Sequence, residues 1–180
     1  TDVDSAGINA ILLGFCQEAG IRSILTTQVI SWAQTSVREC DLARRLVYHA
    51  VENSVLPKHI EADLVVLRDT DRTEFEPDFF QRMSETIRDH NLRGFVEEEG
   101  VHLVTKETHI VGEDPFAIFQ QYLDGEGSRM DVPHAFYMGY EMCKAVTSLT
   151  LGKNYQQDEA LDWGYLTVSE DVHSRIKDRK

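Results

Sequence analysis

The sequence predicts an α/β fold in two parts. A helix, strand, helix unit of the kind that parallel sheets and barrels repeat comes first, and a smaller α/β domain with a β-hairpin and a long C-terminal helix follows. Three observations predict this. Apolar residues recur at helical spacing on both sides of a short continuous apolar run near the start of the chain. The pattern breaks at Leu56-Pro57-Lys58, which puts a domain boundary between 1–56 and 57–180. Charge changes close by: residues 1–60 carry 6 acidic and 5 basic side chains, whereas 61–180 carry 25 and 13, so nearly all of the net charge of -13 lies in the second part.

Each element has its own signal. Asp4 or Ser5 can cap a helix over AGINAILLGFCQEAG, with Ile8, Ile11, Leu12, Phe15 and Ala19 as its apolar face and Gly20 at the C-cap. IRSILTT reads as a buried strand and TQVISWAQTS as a loop. Ser36 and Glu39 have the spacing of a capping box, and the helix they open turns Cys40, Ala43, Leu46, Val47 and Ala50 inward.

Past the boundary, ADLVVLRD reads as a second buried strand and DTDRTEFE as a polar loop. Pro77 opens a helix to about His90 with Phe80, Met83 and Ile87 inward. LRGFVEEEGVHLVTKE reads as a hairpin turning at Glu99-Gly100, its Val101 and Leu103 alternating. Asp114-Pro115 starts the helix PFAIFQQYL, and VPHAFYMGYEMCKAVTSLTLGK is a long helix with the stripe Ala135, Met138, Met142, Ala145 and Leu149, which is core rather than a cofactor box. DVHSRIKDRK reads as a solvated tail.

Composition excludes whole classes of function. Against 31 Asp and Glu stand 18 Lys and Arg, with no basic cluster longer than Arg44-Arg45 before the terminal IKDRK, so nucleic acid is excluded as the main partner and an anionic membrane is disfavoured. No run approaches the ~20 apolar residues of a spanning helix. Cys16, Cys40 and Cys143 are odd in number and far apart, which fits neither a disulfide framework nor a zinc site and points to a cytoplasmic compartment. The opening TDVDSAG has no initiator Met and reads as a loop before a helix, as in a fragment or processed product.

The seven histidines show no HExxH or H-x-x-x-H, and His102 and His109, seven apart, fall on opposite faces of a regular strand, so no metal is expected. The three glutamates at Glu97–Glu99 read as a solvated turn rather than a cation site. G-x-S-x-G, Walker A and G-x-G-x-x-G are absent, and the catalytic residues stay unknown. His134, Tyr137 and Glu141 form either a polar edge or, more simply, a helix flank against water. One place fits the rule that α/β ligands bind beyond the carboxyl ends of strands. Thr26, Thr27 and Gln28 follow the apolar SIL, and Arg38 stands in the first turn of the next helix, so amides and a cation can meet an anion there. Asp2 and Asp4, before the first helix, would share that face.

TDVDSAGINAILLGFCQEAGIRSILTT and QVISWAQTSVRECDLARRLVYHAVENSVLPKHI resemble the last helix, strand and helix of the pterin-binding barrel in dihydropteroate synthase-like proteins of tetrahydromethanopterin-linked one-carbon metabolism. DLVVLRD, DPFAIFQQYL and HAFYMGYEMCKAVTSLTLGKNYQQDEALDWGYL resemble the extra C-terminal domain of those proteins. The resemblance implies a (β/α)8 barrel that binds a reduced pterin as substrate or ligand, of which 1–56 is an incomplete end, since a whole barrel takes roughly 250 residues. True synthases carry Arg-x-His on the last strand to hold the diphosphate leaving group, and Leu25 and Thr27 stand at the matching positions here. Neither replaces a guanidinium on phosphate, so the expectation of pterin binding survives this departure better than that of the ordinary transfer reaction. Asn9 matches an Asn that related pterin-dependent methyltransferase barrels keep near this helix.

Any chemistry implied is displacement at the pterin methylene carbon by the whole protein, not by this segment alone. The expected partners are the pterin and either a second copy of the chain or the rest of the barrel. The alternative is a non-catalytic role, the acidic C-terminal domain serving for docking or oligomerisation.

Overall fold

The computed structural model describes residues 5–58, 60, 64–89, 91–125 and 130–170, and they fall into two units. The first runs to Val66 and takes back Trp163–Leu166; the second holds Leu67–Asp162 and the residues after Leu166. Along the chain the two units meet between Val66 and Leu67. Five α-helices and one three-stranded antiparallel sheet make a mixed α/β protein among the described residues. No helix among them is long and apolar enough to cross a membrane.

In the first unit α1, Ser5–Glu18, packs on α2, Ser36–Asn53. Gly20, at φ 68°, ends α1 with the double bond of a Schellman turn: Gly20 N–H donates to Gln17 and Ile21 N–H to Cys16. α2 buries Cys40, Ala43 and Val47 against Leu13, with Ala10 and Leu64 beside them. The predicted inner face of α1 is not the buried one. Ala6 and Leu13 face inward, while Ile8, Ile11, Leu12 and Phe15 are exposed. α1 is apolar on more than one side, and the close approach of α2 selects its small residues.

IRSILTT forms no strand: residues 21–29 have no ladder partner among the described residues, and Leu25 is 95% exposed. Within ADLVVLRD, Leu64–Asp69 also forms no strand. Both runs have strand chemistry, but a strand exists only where another chain segment supplies its hydrogen bonds.

The second unit is built on β1 (Arg93–Glu97), β2 (Gly100–Val104) and β3 (His109–Gly112), in that order. One face packs on α4 (Pro115–Asp124) and α5 (Val132–Leu151), the other on α3 (Phe79–Thr86). β2, central and covered on both faces, is buried throughout instead of alternating. Val101, Leu103 and Ile110 meet Met138, Met142 and Ala145 of the α5 stripe. Val104 joins Phe80 and Ile87 on the opposite side, packed with Phe75, Phe79 and Phe95. α3 is shorter than its pattern predicts, starting after Pro77 and giving way at Ile87 to extended backbone; His90 lies outside the described residues.

The Asp114 cap follows the sequence, and the last helix is capped in the same way. Asp114 accepts from the Phe116 and Ala117 amides ahead of α4, and Asp131 from the His134 amide ahead of α5, which Gly152 closes at φ 71°. The hairpin turns at Glu98-Glu99, one residue earlier than predicted, with Glu97 paired to Gly100. Gly100 has φ 145°, and a Cβ there would lie 2.6 Å from the Gly112 carbonyl oxygen, so glycine alone lets β3 approach.

His102 and His109 share one face. Val104 pairs with His109 and His102 with Val111, so the histidines are diagonal neighbours on adjacent strands, 2.9 Å apart from Nδ1 to Nε2. The intervening turn at 105–108 breaks the alternation that put them on opposite faces. Glu141 is no flank against water either. It is buried, its Oε2 accepting from the Tyr155 hydroxyl at 2.8 Å and its Oε1 facing Lys144 Nζ at 2.9 Å. Tyr137 lies beside it, accepting from Gln157 and donating to Asp158. The tail at 171–180 lies outside the described residues.

Candidate functional site

The site is built on the facing surfaces of α1 and α2. Ser36 is the first residue of α2 rather than its cap, and the N-cap residue, Thr35, makes no side-chain cap bond. No capping box forms, because both of its intended members face α1. Ser36 Oγ lies 3.0 Å from Thr26 Oγ1 and receives the Asn9 amide at 3.2 Å. Glu39, 2% exposed, is the centre. Its Oε1 accepts from Ser5 at 2.9 Å, Thr35 at 2.6 Å and Tyr165 at 3.0 Å, and its Oε2 from Asn9 at 2.7 Å. Burial pushes the Glu39 carboxyl up, but these donors together outweigh it and hold the group below its ordinary value, so it is ionised at neutral pH.

Around this centre the site turns outward. The Arg38 guanidinium is exposed and lies 4.9 Å over the Tyr165 ring. Thr27 and Gln28 are exposed in the segment that joins α1 to α2. The start of α2 thus offers a helix N-terminus without a side-chain cap, one cation and two polar side chains, which is anion-binding chemistry. A cavity of about 650 Å³ lies alongside, lined by Leu13, Cys16, Ile21, Thr26, Cys40 and Arg44 among others. Burial, ahead of all other influences, pushes the Cys40 thiol up and keeps it protonated.

No family model matches the chain, and no solved structure matches it. An uncharacterized protein of Methanocaldococcus jannaschii, MJ0107, is similar to it. The two are 26% identical over 179 residues, which cover 87% of this chain and 33% of that protein. The chain therefore spans about a third of the length of the curated relative it matches.

Of the sequence-predicted site residues, the structure brings Asn9 and Thr26 into one hydrogen-bonded group and places Arg38 against that group's outer member, Tyr165. Thr27 and Gln28 adjoin it in the chain, and Asp2 and Asp4 lie outside the described residues. Sequence reasoning missed Ser5, Thr35 and Tyr165 as partners of Glu39. Thr35 sits i,i+4 from Glu39 and was within reach of inspection; Tyr165, 126 positions away, carried no signal.

Proposed function

We propose that the chain is the closing part of a pterin-binding (β/α)8 barrel of the dihydropteroate synthase-like kind, joined to an appended α/β domain. The whole protein would work in the biosynthesis or use of a tetrahydropterin one-carbon carrier of the tetrahydromethanopterin type. One observation carries the reading. Residues 21–28 join α1 to α2 outside any helix, apolar at Ile21, Ile24 and Leu25, polar at Thr26, Thr27 and Gln28, and with no strand beside them among the described residues. That is the chemistry of a barrel strand, which pairs on both sides and ends in ligand-binding residues. The exposed Ile8, Ile11 and Phe15 of α1 fit the same account, since each is an apolar side chain that another barrel element would cover.

In this reading Glu39 is the anchor and not the ligand-binding group, because its oxygens are already taken. It fixes Asn9 directly and Thr26 through Ser36. Thr27, Gln28 and Arg38, with the amides at the start of α2, then receive the anionic end of the ligand. Where a leaving phosphate is involved, these groups stabilise its charge as the bond at the pterin methylene carbon breaks.

The test is calorimetric titration of the intact protein with a reduced pterin, wild type against a Thr27→Ala, Gln28→Ala double variant. Loss of two hydrogen bonds predicts affinity lower by about tenfold or more. Unchanged affinity would sink the site assignment, and a wild type that binds no reduced pterin would sink the pterin reading itself.

A further inference from the structure

The second unit holds a group with no place in that reading. His102 is 0% exposed in the centre of the sheet, and its Nε2 has no hydrogen-bond partner among the described residues. That nitrogen is aimed at two carboxylates, with Glu99 Oε1 at 3.6 Å and Glu97 Oε2 at 3.8 Å, and the three atoms lie within 4.8 Å of one another. We propose that His102 Nε2, Glu97 and Glu99 form a binding site for a divalent cation of the zinc class at the β1–β2 turn.

The surroundings are those of a prepared ligand set. The ring of His102 is fixed by Phe80, stacked at 4.2 Å between centroids, and by His109 Nε2 at 2.9 Å from His102 Nδ1. With a cation on Nε2, Nδ1 carries the proton and donates it to His109, which is how metal-bound imidazoles are oriented by a second residue. Glu97 is fixed too: its Oε1 accepts from the Phe75 amide at 3.1 Å and leaves Oε2 toward His102. Glu99 is the exposed member, 67% open at the turn, and gives the site its access to solvent.

Bonds of 2.0–2.2 Å in a tetrahedron set ligand atoms ~3.4 Å apart, so a small rotation of Glu99 closes the set around an ion and leaves a fourth position open. The imidazole nitrogen favours zinc-like ions over magnesium or calcium, which take oxygen. A charged His102 paired with both glutamates would use the same atoms. At 3.6 and 3.8 Å, however, both carboxylate oxygens stand well beyond the length of an imidazolium–carboxylate hydrogen bond, so no such pair closes the set.

The experiment is titration of the intact, chelator-stripped protein with Zn²⁺ by calorimetry and with Co²⁺ by visible absorption. The wild type is compared with Glu97→Gln, Glu99→Gln and, as a neighbour outside the set, Glu98→Gln. Glu99 is exposed, so its variant keeps the fold, which circular dichroism verifies. The expected result is one equivalent of ion whose affinity falls tenfold or more in Glu97→Gln and Glu99→Gln and stays at the wild-type value in Glu98→Gln, with tetrahedral Co²⁺ bands that weaken in parallel. Absence of that equivalent from the wild type, or equal affinity in all four proteins, overturns the proposal.

Discussion

Glu39 in the first unit and His102 in the second are both buried ionisable side chains, and their partners differ in kind. Glu39 collects donors from Ser5, Asn9, Thr35 and Tyr165, which arrive from three separate stretches of chain. His102 satisfies Nδ1 through His109 and leaves Nε2 facing two acceptors beyond hydrogen-bond reach. Since an unmet buried polar atom costs ~1–3 kcal/mol, a fold keeps one only where something offsets the cost. The saturated carboxylate therefore reads as an anchor, and the unsaturated imidazole as a group held ready for a ligand.

The largest expected effect breaks the anchor. Glu39→Ala strands four donors in a buried region, and we expect about 3 kcal/mol of lost stability. Urea unfolding followed by hydrogen exchange should place the loss in α1 and α2. A loss below about 1 kcal/mol, within what ordinary surface substitutions produce, would show that water replaces the carboxylate and that Glu39 anchors nothing.

Next in size is the effect of filling the second cluster. A ligand at a hundredfold its dissociation constant adds about 2.7 kcal/mol to the form that binds it. Zn²⁺ at that level should slow amide exchange in β1, β2 and β3 and leave α1 and α2 unchanged. Equal protection of both units would mean that the ion binds without regard to His102.

The same contrast explains what the sequence could reveal. Features set by neighbours along the chain were legible: the Asp114 cap, the α5 stripe, and the inward Cys40, Ala43 and Val47 of α2. Features set by what covers a residue were not. Ile8, Leu12 and Phe15 recur at helical spacing yet stay outside, because periodicity marks an apolar face without naming its partner. Residues 21–27 look like a strand for the same reason and lack a ladder. At the site, Thr26 and Arg38 follow from their place near a predicted strand end and Asn9 from the family resemblance, whereas Tyr165 returns from far along the chain. His102 and His109 were misplaced because counting across the turn at 105–108 assumes one unbroken strand, and pairing of separate strands resets the parity.

The smallest expected effect isolates a single donor of the anchor. Tyr165→Phe keeps the ring under Arg38 and removes only the hydroxyl that Glu39 accepts at 3.0 Å, so about 1 kcal/mol of stability should go at neutral pH. The pH dependence has a defined sign. Glu39 is held below its ordinary 4.5 by its donors, so the unfolded chain takes up the proton first, and the stability it contributes is complete above pH 4.5 and lost as pH falls through the lower folded value. Without the Tyr165 donor the folded value moves back up toward 4.5, and the contribution is both smaller and exhausted at higher pH. The difference between wild type and Tyr165→Phe in urea unfolding should therefore be greatest at neutral pH and shrink as pH falls below 4.5. A difference that stays constant through that range would mean that Tyr165 supports the first unit by packing, and that the charge on Glu39 is held by Ser5, Asn9 and Thr35 alone.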